Sequence, residues 1–122
     1  MILVDTSVWV DHLRAGVEDL AALLNNSQVL MHPFVLGELA CGNLHNRDEL
    51  LALLKDLPQV MPATHDEVLF FIERHALMGR GIGYVDAHLL AAVALAGSAR
   101  LWTRDKRLRT AADALALAYG KG

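Results

Sequence analysis

Four acidic residues stand where a carboxylate needs a reason. Asp5 ends the apolar run Ile2-Leu3-Val4 and is followed by two hydroxyl residues, Thr6 and Ser7. Glu38 interrupts the apolar stretch Phe34-Val35-Leu36-Gly37-Glu38-Leu39-Ala40. Asp86 heads a nearly polar-free segment in Gly83-Tyr84-Val85-Asp86-Ala87-His88, and Asp105 follows Leu101-Trp102-Thr103-Arg104. Each has a purely structural reading. Asp5 and Asp105 can cap helices, Asp105 can pair with Arg109 four residues on, and Asp86 can answer a helix dipole. Glu38 resists such a reading, because an unpaired buried carboxylate costs several kcal/mol. If the four converge, two like charges ~4 Å apart repel by roughly 4 kcal/mol at an effective dielectric near 20. Either some carboxyls then hold protons or a cation sits among them. An all-oxygen set suits Mg²⁺ or Mn²⁺ rather than zinc. Such a site serves phosphoryl transfer or phosphodiester hydrolysis, in which the metal polarises phosphate and lowers the pKa of a water.

The elements around these residues decide whether they can meet. Residues 2–4 read as a buried strand. Val17, Leu20, Ala21 and Leu24 fit one face of a helix that Asn25-Asn26-Ser27 ends. Val29 to Met31 reads as a second strand, and Pro33 opens a helix running to about Cys41. Leu50, Leu53, Leu54 and Leu57 mark another helix, closed before Pro58, and 59–61 is a weak third strand. Thr64 with Glu67 is a capping box whose helix is expected to run to about Met78. Gly79, Gly81 and Gly83 punctuate a loop before a buried helix over 84–96. A fourth strand is expected over 100–103, a last helix around Leu108, Ala111, Ala112 and Leu115, and an edge strand over 116–119. Strands alternating with helices predict a three-layer α/β/α sandwich around a mainly parallel, twisted sheet of four to five strands. Ligands of such sheets gather at the carboxyl ends of the strands, where Asp5 and Asp105 are placed.

Bulk composition narrows the function classes. The 122 residues suit one domain, 1–122, and the 54% hydrophobic content argues against disorder. No apolar stretch approaches the roughly 18 residues of a membrane span, and the opening run is too short for a signal peptide. One cysteine, Cys41, rules out an internal disulfide and points to a reduced, cytoplasmic protein. A net charge of −3 argues against a grip on nucleic acid by bulk positive potential, though not against one made through a metal ion. The surplus of apolar residues points to an oligomer or a protein partner.

The four motifs Ile2-Leu3-Val4-Asp5-Thr6-Ser7, Phe34-Val35-Leu36-Gly37-Glu38-Leu39, Tyr84-Val85-Asp86-Ala87 and Leu101-Trp102-Thr103-Arg104-Asp105 resemble, in order and spacing over essentially the whole chain, those of the PIN-domain nucleases. The resemblance is closest to the toxin component of VapBC-type toxin–antitoxin pairs. It implies a Mg²⁺-dependent endoribonuclease that blocks translation by cutting structured RNA, either tRNA or rRNA, through attack of a water that leaves a 5′-phosphate. It makes Asp5, Glu38, Asp86 and Asp105 the acidic quartet, with Asp5 and Asp86 as direct metal ligands. Glu38 and Asp105 would act directly, through water, or as a general base. Thr6, Ser7 and Thr103 become hydroxyls that orient carboxylates. A homodimer follows by the same resemblance, as does a cognate VapB-like antitoxin whose tail places a basic side chain at the acidic site.

The remaining features weigh less. Arg104, Lys106, Arg107 and Arg109 flank Asp105 and form either a solvated helix face or a phosphate-contacting rim, which Arg80 would join. Gly79-Arg80-Gly81-Ile82-Gly83 follows a helix rather than a strand and lacks dinucleotide-binding spacing. The six histidines show no zinc-ligand spacing, and Cys41 reads as a small core residue. Trp9 and Trp102 read as core or dimer surface. Two competing functions remain: a catalytically silent PIN module that docks RNA or protein, and a phosphotransferase with Asp5 as nucleophile. The second lacks the aspartate two residues on that such enzymes commonly use.

Overall fold

The computed structural model describes residues 1–120. The chain runs β1 (Ile2–Val4), α1 (Thr6–Ala15), α2 (Glu18–Asn25), β2 (Val29–Leu30), α3 (Pro33–Ala40), α4 (Arg47–Lys55), α5 (His65–Arg74), α6 (Tyr84–Ala96), β3 (Arg100–Trp102) and α7 (Lys106–Ala114). The sheet is parallel, in the order β2-β1-β3. Ile2, Leu3 and Val4 are all buried. Successive strand side chains point to opposite faces, so the central strand is covered on both sides. Trp9, Leu20, Leu39, Leu90, Leu101 and Leu108 join these residues in one core.

The sheet has three strands, not the four to five expected. The segments at 59–61 and 116–119 each contribute one parallel bridge, Met31 with Gln59 and Leu101 with Ala118. The first is confined by prolines: Pro58 and Pro62 bracket it and have no N–H to offer a ladder. The second stops at Gly120, which has φ +77°. α1 is an element that the turn signals and periodicity did not mark. Thr6, Val8 and Val10 favour strands, but burying Val8 and Trp9 overrides that preference. The Thr64–Glu67 capping box is present with both of its hydrogen bonds. Its helix ends at Arg74 rather than near Met78, because Ala76 turns into the left-handed region at φ +51°. Cys41 is exposed rather than a core residue.

Register brings the site together. Val4 pairs with Trp102 and Leu3 with Leu30. The next residues, Asp5, Thr103 and Met31-His32, therefore leave the sheet at one edge, the carboxyl end of every strand. The Asp5 N–H continues the ladder to the Trp102 carbonyl at 2.9 Å. α3 starts from the same edge at Pro33. His32 precedes that proline, is held extended at φ −117° and ψ 142°, and caps the helix through its side chain.

Candidate active site

Asp5 is buried at this edge and occupies the N-cap position of α1, yet it makes no capping hydrogen bond with its side chain. Its Oδ2 instead accepts from two hydroxyls, Ser7 Oγ at 2.8 Å and Thr103 Oγ1 at 2.8 Å. Main-chain amides feed both hydroxyls in turn: Arg104 N–H donates to Ser7 Oγ and Asp105 N–H to Thr103 Oγ1, each at 3.1 Å. Thr103 thus bridges the first and last acids of the sequence.

Asp105 is exposed and does cap its helix, its Oδ1 accepting from Leu108 N–H at 3.0 Å. Its expected partner Arg109 is engaged elsewhere, with Asp113 and with the Tyr119 and Gly120 carbonyls. Asp86 is half-buried in the first turn of α6, and its Oδ2 accepts from Gly83 N–H at 3.2 Å. Glu38 is exposed, not buried as its apolar neighbours suggest, because it lies on the outer face of a two-turn helix. Its Oε1 accepts from Thr6 Oγ1 at 2.6 Å.

One pattern runs through all four acids. A protein donor fixes one oxygen of each carboxylate, and the other oxygen has no protein partner among the described residues. The acids also feel one another. Burial pushes the Asp86 carboxyl above its ordinary range, the Gly83 amide partly offsets this, and the charges of Asp5, Asp105 and Glu38 push it further up. Among the described residues, no three His, Cys, Asp or Glu side chains already form a metal cage. Four oriented carboxylates with free oxygens fit a hard, oxygen-loving divalent cation, with Asp5 and Asp86 as the more buried donors.

Of the hydroxyls expected to orient carboxylates, Ser7 and Thr103 hold Asp5, and Thr6 holds Glu38. The basic rim divides. Arg104 pairs with Asp11 at 2.5 Å, turned away from Lys106 and Arg107, which line a pocket with Arg80. Sequence reasoning missed two supports. His32 Nδ1 caps the helix that carries Glu38 by accepting from Phe34 N–H at 3.0 Å, and the Gly83 amide holds Asp86. The signal for His32 was its place directly before Pro33; a main-chain donor such as Gly83 leaves no side-chain signal. Trp9 is buried, while Trp102 is half-buried against Tyr119.

The PIN domain family model matches residues 2–114. The chain is 56% identical over 111 residues to Ribonuclease VapC32 of Mycobacterium tuberculosis strain CDC 1551 / Oshkosh, covering 91% of this chain and 90% of that protein. Ribonuclease VapC32 of strain ATCC 25618 / H37Rv is similar to the same degree.

Proposed function

This chain belongs to the PIN-domain family, and on that premise we propose that it is a VapC-type toxin: a Mg²⁺-dependent endoribonuclease, for which Mn²⁺ can substitute, that hydrolyses phosphodiester bonds in tRNA or rRNA. The observation that carries this reading is the quartet itself. Asp5, Glu38, Asp86 and Asp105 are each anchored by one oxygen, keep the other for a ligand, and are coupled through the field at Asp86.

A divalent cation bound there would polarise the scissile phosphate and lower the pKa of a water. The chain's own residues do the rest. Asp5 and Asp86 would hold the cation through their free oxygens, and the Ser7 and Thr103 hydroxyls stop the Asp5 carboxylate from rotating. Glu38 and Asp105 stand at the exposed margin, where one of them can take a proton from the attacking water.

We further infer one domain over 1–122, a cytoplasmic location, a homodimer and a VapB-like antitoxin. No helix among the described residues is long and apolar enough to cross a membrane. A groove of about 570 Å³, lined by Val10, Leu13, Leu39, Leu44 and Leu50 with Glu38 at its margin, supports the antitoxin reading. An amphipathic segment laid there can carry a basic side chain to the acids. The test is growth and RNA integrity after induction of Asp5→Asn or Asp86→Asn. Both variants are expected to lose growth arrest and to lose cleavage by at least about a hundredfold. Full toxicity in either one overturns the assignment.

A further inference from the structure

Beside the acids, positive charge gathers in a pocket among the described residues. The segment between α5 and α6 turns on Gly79 (φ +73°) and Gly81 (φ +78°) and meets the first turn of α7. Arg80 from that segment and Lys106, Arg107 and Thr110 from α7 line an open pocket of about 420 Å³. Among the described residues, no carboxylate lines it. Among the described residues, the ion pairs are Asp11 with Arg14 and Arg104, and Asp113 with Arg109. Arg80, Lys106 and Arg107 take no part in them. On a chain of net charge −3, three unpaired cations therefore share one cavity.

Shape shows that the pocket is built. A Cβ placed on Gly81 would stand 2.6 Å from Cδ and from Nη1 of Arg107. The Arg107 side chain lies across the bare glycine backbone, in space any other residue would fill. Arg107, Thr110 and Ala111 share a face of α7 by the i, i+3, i+4 rule, so the guanidinium comes from a helix rather than from a loose tail. That helix is capped by Asp105, and Lys106 follows Asp105 directly, so the pocket adjoins the acidic site.

We propose that Arg80, Lys106 and Arg107 form a backbone-phosphate subsite that holds the RNA strand beside the acidic quartet, and that Gly81 is the positioning residue that seats Arg107. The proposal rests on the ribonuclease reading above. An RNA strand cut at the acids must pass over flanking protein, and the four carboxylates repel each phosphate outside the reacting one. Cations on the flank offset that repulsion, and the planar fork of arginine suits a phosphate's paired oxygens. An acidic protein segment would satisfy the same charges, but a segment that reaches the carboxylates must carry positive charge there, whereas an RNA strand cut at the acids brings phosphates along its whole length.

The probe is a fluorescein-labelled 12-nucleotide single-stranded RNA, read by anisotropy over a range of salt in the Asp5→Asn background, which blocks cleavage. Arg80→Gln, Lys106→Gln and Arg107→Gln are each expected to weaken binding three- to tenfold. Each should flatten the slope of log K against log salt by about 0.7, the share of one phosphate contact on a single strand. Gly81→Ala, which displaces the Arg107 side chain and strains the backbone at φ +78°, is expected to weaken binding with no change in charge. In the otherwise native protein, Arg107→Gln should raise KM and leave kcat at saturating RNA unchanged. Lys55→Gln, on the exposed end of α4, serves as the control. Wild-type slope and affinity in all three glutamine variants overturns the subsite and leaves the ribonuclease reading intact. If even the unsubstituted background fails to bind RNA at low salt, and the native protein fails to cut it, the ribonuclease reading falls first. Loss of binding to a polyglutamate probe with RNA binding unchanged assigns the pocket to an acidic partner and overturns the proposal.

Discussion

Acid should loosen the helix that presents Glu38, and His32 is the reason. Its imidazole is fully buried, and Nδ1 accepts from Phe34 N–H, so the proton of the neutral ring sits on Nε2. Nε2 has no hydrogen-bond partner among the described residues. Burial, followed by the neighbouring His88, lowers the pKa to about 4 from the ordinary 6.5. Protonating Nδ1 would turn the cap's acceptor into a donor facing a donor. The folded pKa lies below the unfolded one, so the stabilisation is complete above pH 6.5 and is lost as pH falls toward 4. The 2.5-unit difference between those two values caps the loss at about 3 kcal/mol, of which about 2 kcal/mol falls between pH 7 and pH 5. For a chain of this size that is roughly 8 °C in Tm. The assay is urea or thermal unfolding at pH 7, 6 and 5 for wild type and His32→Asn. Asparagine keeps a capping oxygen and does not titrate in this range. The variant loses packing equally at every pH, so the comparison lies in the slopes: wild type should fall by about 2 kcal/mol more than the variant. His88, whose pKa burial and then His65 also lower, titrates in both proteins and drops out of the difference. Parallel slopes would refute the reasoning.

Three further variants test the same geometry. Asp86→Asn should unfold at the same or a higher temperature than wild type in EDTA at pH 7. Its raised pKa means that the charged form is the penalised one, and the penalty is present above the folded pKa; a clear fall in Tm would contradict this. The same variant should lose most of the thermal stabilisation that millimolar Mg²⁺ gives wild type. Thr103→Val keeps the shape but removes both the donor to Asp5 and the acceptor for Asp105 N–H. It should cost about 1–3 kcal/mol by urea unfolding and weaken Mg²⁺ binding, measured calorimetrically, about 10- to 100-fold. Thr64→Ala, which breaks the α5 capping box, should cost about 1 kcal/mol and leave RNA cleavage unchanged.

Residue types singled out the four acids as candidates, and the resemblance in order and spacing joined them into one set; burial does not account for Glu38 and Asp105, which are exposed. The parallel sheet was legible from alternation, and α6 from its unbroken apolar run. The sheet's width was not. Gln59 and Ala118 sit in short apolar runs that look like strands, and whether a run pairs over one residue or four depends on neighbours distant in sequence, such as Met31 and Leu101. α1 was hidden for the opposite reason: its local preference is for strand, and only the burial of Val8 and Trp9 makes it helical. The exposure of Glu38 was also beyond the sequence, because Val35 and Leu39 face the core while Glu38 points the other way on a short helix. The basic rim was legible as a group but not in its division. Nothing in the order Arg104-Asp105-Lys106-Arg107 says that the first arginine turns back to Asp11.

The hydroxyls beside Asp5 explain how a buried carboxylate can stay ready for a cation. A backbone amide can only donate, so Arg104 N–H and Asp105 N–H occupy lone pairs of Ser7 and Thr103 and leave those hydroxyls their protons to give away. Both protons go to the same Asp5 oxygen. The 3.4 Å approach of the two hydroxyls is therefore a contact between groups already committed, rather than a bond that competes with Asp5. Main-chain geometry at the end of β3 thus sets the direction of the whole chain of hydrogen bonds. Oδ2 receives two donors, while Oδ1 has no protein partner among the described residues. The two hydroxyls meet the cost of burying Asp5 at Oδ2, while Oδ1 stays open to a cation or to water. Removing the hydroxyls one at a time separates these effects: Ser7→Ala leaves Thr103 as a single anchor, and the double replacement leaves none. Mg²⁺ affinity should therefore fall more steeply at the second substitution than at the first.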